Sequence, residues 1–509
     1  MALRAVAINP RWPGGIVAGL VLALTLGTLC AVGLRADFLA GLGVADWAAV
    51  RFTVLQALVS ALVSCLLAIP VARALARRQF RGRSAIITLL GAPFLLPVIV
   101  AVLGLLSVFG RNGIVNNALS AVGLPEVSIY GFHGVVLAHV FFNMPLVTRF
   151  ILQGWLAIPS ERFRLAASLG APVGRLLEWP MLRSVLPSAF LVVFLICLTS
   201  FAVALTLGGG PKATTVELAI YQALRFDFDL GRAALLALLQ FGICAIAAIF
   251  AWSATQRDEG GAGLDRAVQR WDGGVKRDAI IIVLAALFLL LPLGMIVVRG
   301  VAGIPELTVD IWRAALRSIL VAVSSAVLCT GFALALALRG GRLASVVGVL
   351  PLAASSLVVG TGLFLIVYPF INPARLALPI TMLVNAVLAL PFVLRSIGPA
   401  VAKVEADFGR LGTSLGLSSR VWTWRIVLPR LRQPLGFGAG LAAALSMGDL
   451  GVIALFAGDA QETLPLAMYR LMGAYRMEAA AAAALLLVAV SFSLFWFFDR
   501  GGQIGAQDK

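Results

Sequence analysis

The stretch Arg164-Leu165-Ala166-Ala167-Ser168-Leu169-Gly170 has a close copy in Arg410-Leu411-Gly412-Thr413-Ser414-Leu415-Gly416. The two glycines are 416 − 170 = 246 residues apart, and each stretch is a basic, amphipathic segment between strongly apolar segments. At the same spacing, residues 145–149 match residues 391–395, and Ser200 falls opposite Ser446. The sequence therefore predicts two copies of one structural unit.

The composition is that of a membrane protein. Of the 509 residues, 61% are hydrophobic and 12% are charged, whereas soluble chains carry about 25% charged residues. The apolar runs are continuous and not alternating, which favours helices over a barrel. We expect an all-α polytopic membrane protein with about twelve transmembrane helices. The predicted spans lie near residues 15–34, 54–75, 84–108, 132–153, 186–207, 233–253, 279–298, 315–338, 344–369, 378–397, 435–456 and 479–498.

The net charge of +17 is concentrated in alternate loops. An excess of Lys and Arg marks the cytoplasmic side of a membrane protein, so this pattern argues against a nucleic-acid partner. It places both termini in the cytoplasm. The first apolar run is longer than that of a cleaved signal peptide and is predicted to be an uncleaved span. The loops predicted to be cytoplasmic lie near residues 76–83, 154–185, 254–278 and 398–434.

A polar, glycine-rich segment divides the chain in the middle. We predict a first transmembrane repeat over 1–254, a cytoplasmic linker over 255–278 and a second transmembrane repeat over 279–509. Six spans per half give both repeats the same orientation, so the repeats are parallel. A translocation path between them is expected, with Ser200, Ser446 and Asp449 as its candidate residues.

No metal or catalytic site is predicted. The cysteines, Cys30, Cys65, Cys197, Cys244 and Cys329, lie far apart in the predicted spans, without the spacing of a metal site. The two histidines, His133 and His139, are six residues apart, whereas residues on one helix face are three or four apart. We interpret these residues as packing residues of the spans.

Each repeated loop is predicted to be a helix–glycine–helix elbow on the cytoplasmic side. Gly170 and Gly416 suit a left-handed turn at the end of a helix, and Ser418 or Ser419 can cap the helix after the second turn. Phe163, Ala166 and Ala167 form a small apolar face that could enter a groove on a partner. The alternative is a helix that rests on anionic lipid headgroups.

The elbows resemble the EAA motif of ABC importer permeases, in which Glu-Ala-Ala-x-x-x-Gly precedes Ile-x-Leu-Pro. The second copy matches the tail with residues 426–429. The resemblance implies that the elbows insert into separate ATPase subunits. Two features depart from the pattern: arginine replaces the glutamate in both copies, and a glycine replaces an alanine in the second. The candidate coupling residues are Arg164, Leu165, Ala166, Ala167, Gly170, Arg410, Leu411, Gly412 and Gly416.

Residues 205–224, 178–180, 446–451 and 463–465 are similar to the permeases for thiamine and thiamine pyrophosphate. Permeases for ferric iron are close relatives and the competing prediction. The resemblance implies the MetI-like architecture of type I importers in the bacterial inner membrane. It also implies two copies of an ATPase, which bind ATP and Mg, and a periplasmic binding protein that meets the loops near 208–232 and 457–478. The cargo would be a small molecule, and the chain would contact membrane lipid.

The chain carries no nucleotide-binding sequence. Its four lysines, at positions 212, 276, 403 and 509, do not follow a glycine as a P-loop requires. It is therefore predicted to be a transport subunit without ATPase activity and without a cofactor of its own. The alternative is an ion-coupled secondary transporter, which uses ionisable residues inside the membrane. The predicted spans are nearly empty of carboxylates, with Asp449 as the main exception.

Overall fold

The computed structural model describes residues 11–39, 41–91, 96–210, 213–255, 274–458 and 461–504. Over these ranges every regular element is a helix, and no strand occurs. Eleven helical segments among them are long and apolar enough to cross a membrane. The prediction of an all-α polytopic membrane protein is therefore confirmed.

The first half of the chain contains short helices between long ones. A π-helical turn, Ala23–Gly27, joins α1 to α2, and a second, Gly174–Glu178, precedes α9. The helices are α1 (Arg11–Leu22), α2 (Thr28–Arg35), α3 (Val44–Arg77), α4 (Arg83–Leu89), α5 (Val98–Phe109), α6 (Ile114–Ala121), α7 (Phe132–Ala157), α8 (Ser160–Ser168), α9 (Trp179–Leu198), α10 (Ala202–Leu207), α11 (Val216–Arg225) and α12 (Leu230–Thr255).

The second half follows a similar order. It includes the π-helical turn Trp422–Val427 and 3-10 turns at Ile304–Glu306, Leu350–Ala353 and Pro373–Leu376. The helices are α13 (Val275–Ala302), α14 (Val309–Arg339), α15 (Gly341–Val349), α16 (Ser356–Val367), α17 (Ala377–Ser414), α18 (Ser419–Val421), α19 (Leu428–Arg430), α20 (Arg432–Met447), α21 (Gly451–Phe456), α22 (Leu464–Gly473) and α23 (Met477–Ile504).

The segment predicted as a continuous span over 344–369 is broken in the structure. Pro351 lies in the 3-10 turn between α15 and α16, where its missing N–H cannot continue a helix. The Ser355 hydroxyl then caps α16 by accepting a hydrogen bond from the Val358 N–H at 3.1 Å. The apolar run is therefore divided between two short helices.

The chain forms two compact units. One contains Met1–Gly41, Ile220–Phe241 and Ala302–Lys509, and the other contains Leu42–Ala219 and Gly242–Val301. The leading helices α1 and α2 thus belong to a unit built mainly from the second half. Helix α13, which leads the second half, belongs to the unit built from the first. The predicted linker falls mostly on residues 256–273, which lie outside the described residues.

Glycines bring the leading helices close to their neighbours within each unit. A Cβ atom on Gly14 of α1 would lie 2.5 Å from the Ala335 carbonyl oxygen of α14. In the other unit, a Cβ on Gly104 of α5 would lie 2.8 Å from the Pro292 carbonyl oxygen of α13. Small residues permit this close approach of membrane helices, which gain their stability from packing.

Candidate functional site

The first elbow, defined as residues 160–178, is a helix that ends in a left-handed glycine. Gly170 has a φ of 61°, and no described atom lies within 4 Å of a Cβ added there. The Ala171 N–H donates to the Ala166 carbonyl at 2.8 Å. This hydrogen bond, whose donor lies five residues after its acceptor, is typical of a Schellman motif. The turn is therefore determined by backbone conformation and not by packing around the glycine.

The second elbow, residues 406–427, repeats this geometry at the end of α17. Gly416 also has a φ of 61°, and the Leu417 N–H donates to the Gly412 carbonyl at 3.1 Å. Ser418 is the cap that follows, because its hydroxyl accepts from the Val421 N–H. The predicted left-handed turns at both glycines agree with the structure.

The apolar face that each elbow exposes differs from the face expected from the sequence. Phe163 and Ala166 are buried against the protein, as is Gly412 in the second elbow. Leucines spaced one helical turn apart project outward instead, and Leu165 and Leu411 are 60% and 56% exposed. The exposed leucines are Leu165 and Leu169 in the first elbow and Leu411 and Leu415 in the second.

Basic side chains border these leucines. Arg164 and Arg410, which stand where the family pattern has glutamate, are both exposed, and so is Ala167. Behind the second elbow, the Arg430 guanidinium lies over the Phe408 ring, 4.2 Å from its centroid. Each elbow thus combines an exposed apolar pair with a positive border, a surface suited to a groove with acidic residues nearby.

A π-helical turn forms the last part of each elbow. Gly174–Glu178 precedes α9, and Trp422–Val427 precedes the short helix α19. Such turns are rare and occur frequently at functional sites. Trp422 is fully buried, so the second turn holds its elbow against its own unit.

One ion pair connects the first elbow with α3, and a second, buried pair connects α3 with α13. The Arg73 guanidinium lies 3.0 Å from the Glu178 carboxylate in the π-helical turn. Arg78 at the end of α3 pairs with Asp278 at the start of α13, and both side chains are buried. In the sequence, the basic residues in and near the loop at 76–83 indicate only membrane topology. The partners of Arg73 and Arg78 lie 105 and 200 residues away along the chain.

The candidate path residue Asp449 lies at a break between α20 and α21. One carboxylate oxygen accepts a hydrogen bond from the Gly451 N–H at 3.2 Å. The other oxygen, Oδ2, is buried and has no hydrogen-bond partner among the described residues. The Asn385 side chain also interacts with this carboxylate. The carboxylate therefore keeps one acceptor atom unused inside an apolar segment.

Ser446 belongs to a buried polar chain that reaches Asp449 through Asn385. The Asn385 amide donates to the Ser446 hydroxyl at 3.0 Å, and that hydroxyl lies 3.2 Å from the Ser325 hydroxyl. Three helices, α14, α17 and α20, contribute these groups. Sequence reasoning missed Ser325 and Asn385, because a single Ser or Asn in a span carries no periodic signal.

Ser200 lies in the other unit, in the break between α9 and α10. That unit has its own buried polar pair: the His139 Nδ1 lies 3.3 Å from the Ser60 hydroxyl. His139 occupies the position 385 − 246 = 139, equivalent to Asn385 in the second half. The interpretation of His139 as a hydrogen-bonded packing residue agrees with this geometry. Among the residues the structure describes, no cluster suited to a metal ion occurs.

Two short helices, α11 and α22, occupy equivalent positions in the halves. The first backbone N–H of each helix donates a hydrogen bond to a buried hydroxyl. The Val216 N–H donates to the Thr53 hydroxyl at 2.9 Å, and the Leu464 N–H donates to the Ser318 hydroxyl at 2.8 Å. Burial raises the pKa of Tyr221, and burial with the nearby Tyr221 raises the pKa of Tyr469. Both phenols, whose ordinary pKa is about 10, are therefore neutral at pH 7.

The chain matches curated proteins over nearly its full length. It is 37% identical to the thiamine transport system permease protein ThiP of Brucella abortus (strain 2308), with 96% of this chain and 94% of that protein covered. It is 37% identical to the protein of that name in Escherichia coli (strain K12), and 36% identical to that of Salmonella typhimurium (strain LT2), with 98% of both chains covered in each case.

A shorter match points to the same kind of protein. The chain is 31% identical over 123 residues to the sulfate transport system permease protein CysW of Synechococcus elongatus. No family model matches the chain. The predicted resemblance to ABC importer permeases of the thiamine type is confirmed by the full-length matches. The chain therefore belongs to the family of thiamine transport system permease proteins, which are ABC importer permeases.

Proposed function

We propose that this protein is the membrane subunit of an ATP-driven importer that carries thiamine and thiamine pyrophosphate across the bacterial inner membrane. The observation that carries the proposal is the 37% identity over 98% of the chain to a thiamine transport permease. The paired elbows supply its physical basis, since both present an apolar pair at the same left-handed turn.

Coupling to ATP is assigned to the elbows. Each would dock on one of two ATPase subunits, with Leu165 and Leu169 or Leu411 and Leu415 in a groove. ATP and Mg would bind only to those subunits. Arg164, Arg410 and the glycines Gly170, Gly412 and Gly416 would set the charge and angle of the contact. Because arginine replaces the family's glutamate, we expect acidic residues on the ATPase around the groove.

The remaining candidate residues are assigned to the path. Ser200 lies at a helix break in one half; in the other half, Ser446 lies in the last turn of α20 and Asp449 in the break that follows. Helix breaks expose backbone groups that can bind cargo inside a membrane protein. Thiamine carries a positive thiazolium ring, and Asp449 offers a buried oxygen without a hydrogen-bond partner among the described residues. The halves would then rock to open the path to each side in turn.

The sidedness follows from the basic loops. With both termini in the cytoplasm, the elbows face the ATPase, and α11 and α22 face the periplasm. There a substrate-binding protein would deliver the cargo.

The test is cargo uptake by the purified complex in lipid vesicles, with ATP on the elbow side and the thiamine-loaded binding protein on the other. We expect thiamine uptake that requires ATP hydrolysis and continues when ion gradients are collapsed. The same vesicles tested with a ferric-binding protein should take up no iron. Uptake driven by an ion gradient without the ATPase would contradict the proposal and support a secondary transporter.

A further inference from the structure

Two aromatic residues adopt a backbone conformation that normally requires glycine. Phe228 has a φ of 52° and Tyr475 a φ of 59°, and no other non-glycine residue with positive φ occurs in the described ranges. In this left-handed region the Cβ atom of an L-residue crowds the following carbonyl. The sequence does not indicate this left-handed conformation, because aromatic residues are not expected to adopt it.

The two residues occupy equivalent positions in the two halves. They are 475 − 228 = 247 residues apart, one more than the offset between the elbow glycines, and each follows one of the short helices α11 and α22. The next residue starts the following long helix in both cases: the Asp229 carbonyl accepts from Ala233, and the Arg476 carbonyl from Ala480, each at 3.0 Å. An aromatic residue with positive φ therefore occurs at the same place in both halves.

The turn at Tyr475 has the hydrogen bonding of the elbow turns. The Arg476 N–H donates to the Leu471 carbonyl at 2.9 Å, which is the long bond of a Schellman motif. At the elbows the residue in this position is Gly170 or Gly416. Glycine would adopt this turn without strain, so the presence of an aromatic residue there needs a separate explanation.

Burial of the side chains does not explain why aromatic residues occupy these turns. The Tyr475 side chain is 89% exposed, and Phe228 is 52% exposed. Phe228 contacts Tyr368 edge-on, with ring centroids 5.4 Å apart, and Tyr368 stacks on Phe364. The Phe228 ring is thus supported from one side and presented to solvent on the other. Rigid, exposed aromatic rings are the residues that most often anchor protein interfaces.

The short helices that precede the two aromatics are fixed to the protein. Arg225 at the end of α11 donates to the Ala457 carbonyl at 3.2 Å, and Arg470 of α22 pairs with Glu462. A lipid headgroup layer is fluid and does not require an aromatic side chain at one fixed backbone position. A folded partner gains from such a position, because a side chain on a fixed backbone loses less freedom on binding.

We propose that Phe228 and Tyr475 are paired anchors for the substrate-binding protein on the periplasmic face. Binding proteins of this kind close two lobes around their ligand, and one aromatic residue from each half of the permease would contact each lobe. This inference rests on the proposed function, which places α11 and α22 on that face and supplies the partner.

The test substitutes glycine, which suits the turn and removes the ring. Complexes with Phe228→Gly, Tyr475→Gly or both are reconstituted in lipid vesicles with the ATPase and titrated with the thiamine-loaded thiamine-binding protein of the same organism. We expect the concentration for half-maximal ATPase stimulation to rise about tenfold for each variant, because aromatic anchors dominate interface energy. The melting temperature should stay the same or rise.

Two controls separate the ring from the turn. Phe370→Ala removes another exposed aromatic, on an adjacent outer loop without positive φ, and should leave the titration unchanged. Tyr475→Phe keeps the ring and should also titrate like the wild type. A wild-type titration for the double glycine variant would overturn the inference. So would a glycine variant that changes only the lipid dependence of the melting temperature, which would indicate headgroup anchoring. A wild-type complex that does not respond to the binding protein would instead contradict the proposed function.

Discussion

At the scale of single residues, each elbow depends on one glycine, Gly170 or Gly416, at which the preceding helix ends. A glycine after a helical segment has few physical alternatives to the left-handed turn, and both residues adopt it with a φ of 61°. It was harder to predict which side of the elbow helix is exposed and which is buried. Phe163 and Ala166 point inward while Leu165 and Leu169 point outward. Apolar residues occur on both sides of this helix, so periodicity alone could not distinguish the partner-facing side.

The glycine turn leads to a prediction on stability. Gly416→Ala should destabilise the second elbow by about 1 kcal/mol, because alanine is strained at positive φ. No described atom lies within 4 Å of the added Cβ, so the penalty is one of conformation alone. Thermal unfolding of the purified complex measures the change.

The control for this change lies in α17, the helix that precedes the turn. Gly409→Ala places a methyl group at a helical position of α17 that is equally open, and should be neutral or stabilising by up to about 1 kcal/mol. Equal losses of stability from both substitutions would show that the left-handed turn has no special role.

At the scale of elements, most of the apolar runs were located correctly, but the run predicted over 84–108 corresponds to a spanning segment at Val98–Ala121. The breaks and connections were only partly predicted. Pro351 and Ser355 divide one predicted span, a local signal that can be read from the chain. The pair between Arg78 and Asp278 could not be anticipated, because it joins the end of α3 to the start of α13, 200 residues later. Only the fold brings these charges together.

This pair predicts a large effect for a small substitution. Asp278→Asn removes the buried carboxylate that faces Arg78 and should destabilise its unit by about 3 kcal/mol, since a charge stays buried without its counterion. Chemical or thermal unfolding of the complex in lipid gives the value. The double variant Arg78→Met/Asp278→Leu should recover much of the loss.

An exposed pair provides the comparison. Arg313 and Asp310 lie 3.2 Å apart with both side chains largely exposed, so Asp310→Asn should leave the unfolding midpoint nearly unchanged. If Asp278→Asn proves as mild as Asp310→Asn, the buried pair does not hold α13 in place.

At the scale of the whole molecule, the sequence repeat predicted two related halves and the structure forms two compact units that exchange leading helices. The offset of 246 residues shows that the halves are copies. It does not show which half a leading helix packs against, because α1 and α13 are apolar on all sides. The glycine contacts at Gly14 and Gly104 decide this, and such contacts become visible only in three dimensions.

We propose that the two elbows transmit the ATPase cycle to the transport path. The most direct measurement is ATP-dependent thiamine uptake by vesicles containing the complex with Leu169→Asp and Leu415→Asp, two exposed positions whose change leaves the core intact. We predict loss of the ATPase subunits from the purified complex and a fall in uptake of more than about tenfold, while Leu124→Asp, an exposed position outside the elbows, behaves like the wild type. Wild-type uptake by the double elbow variant would contradict the claim.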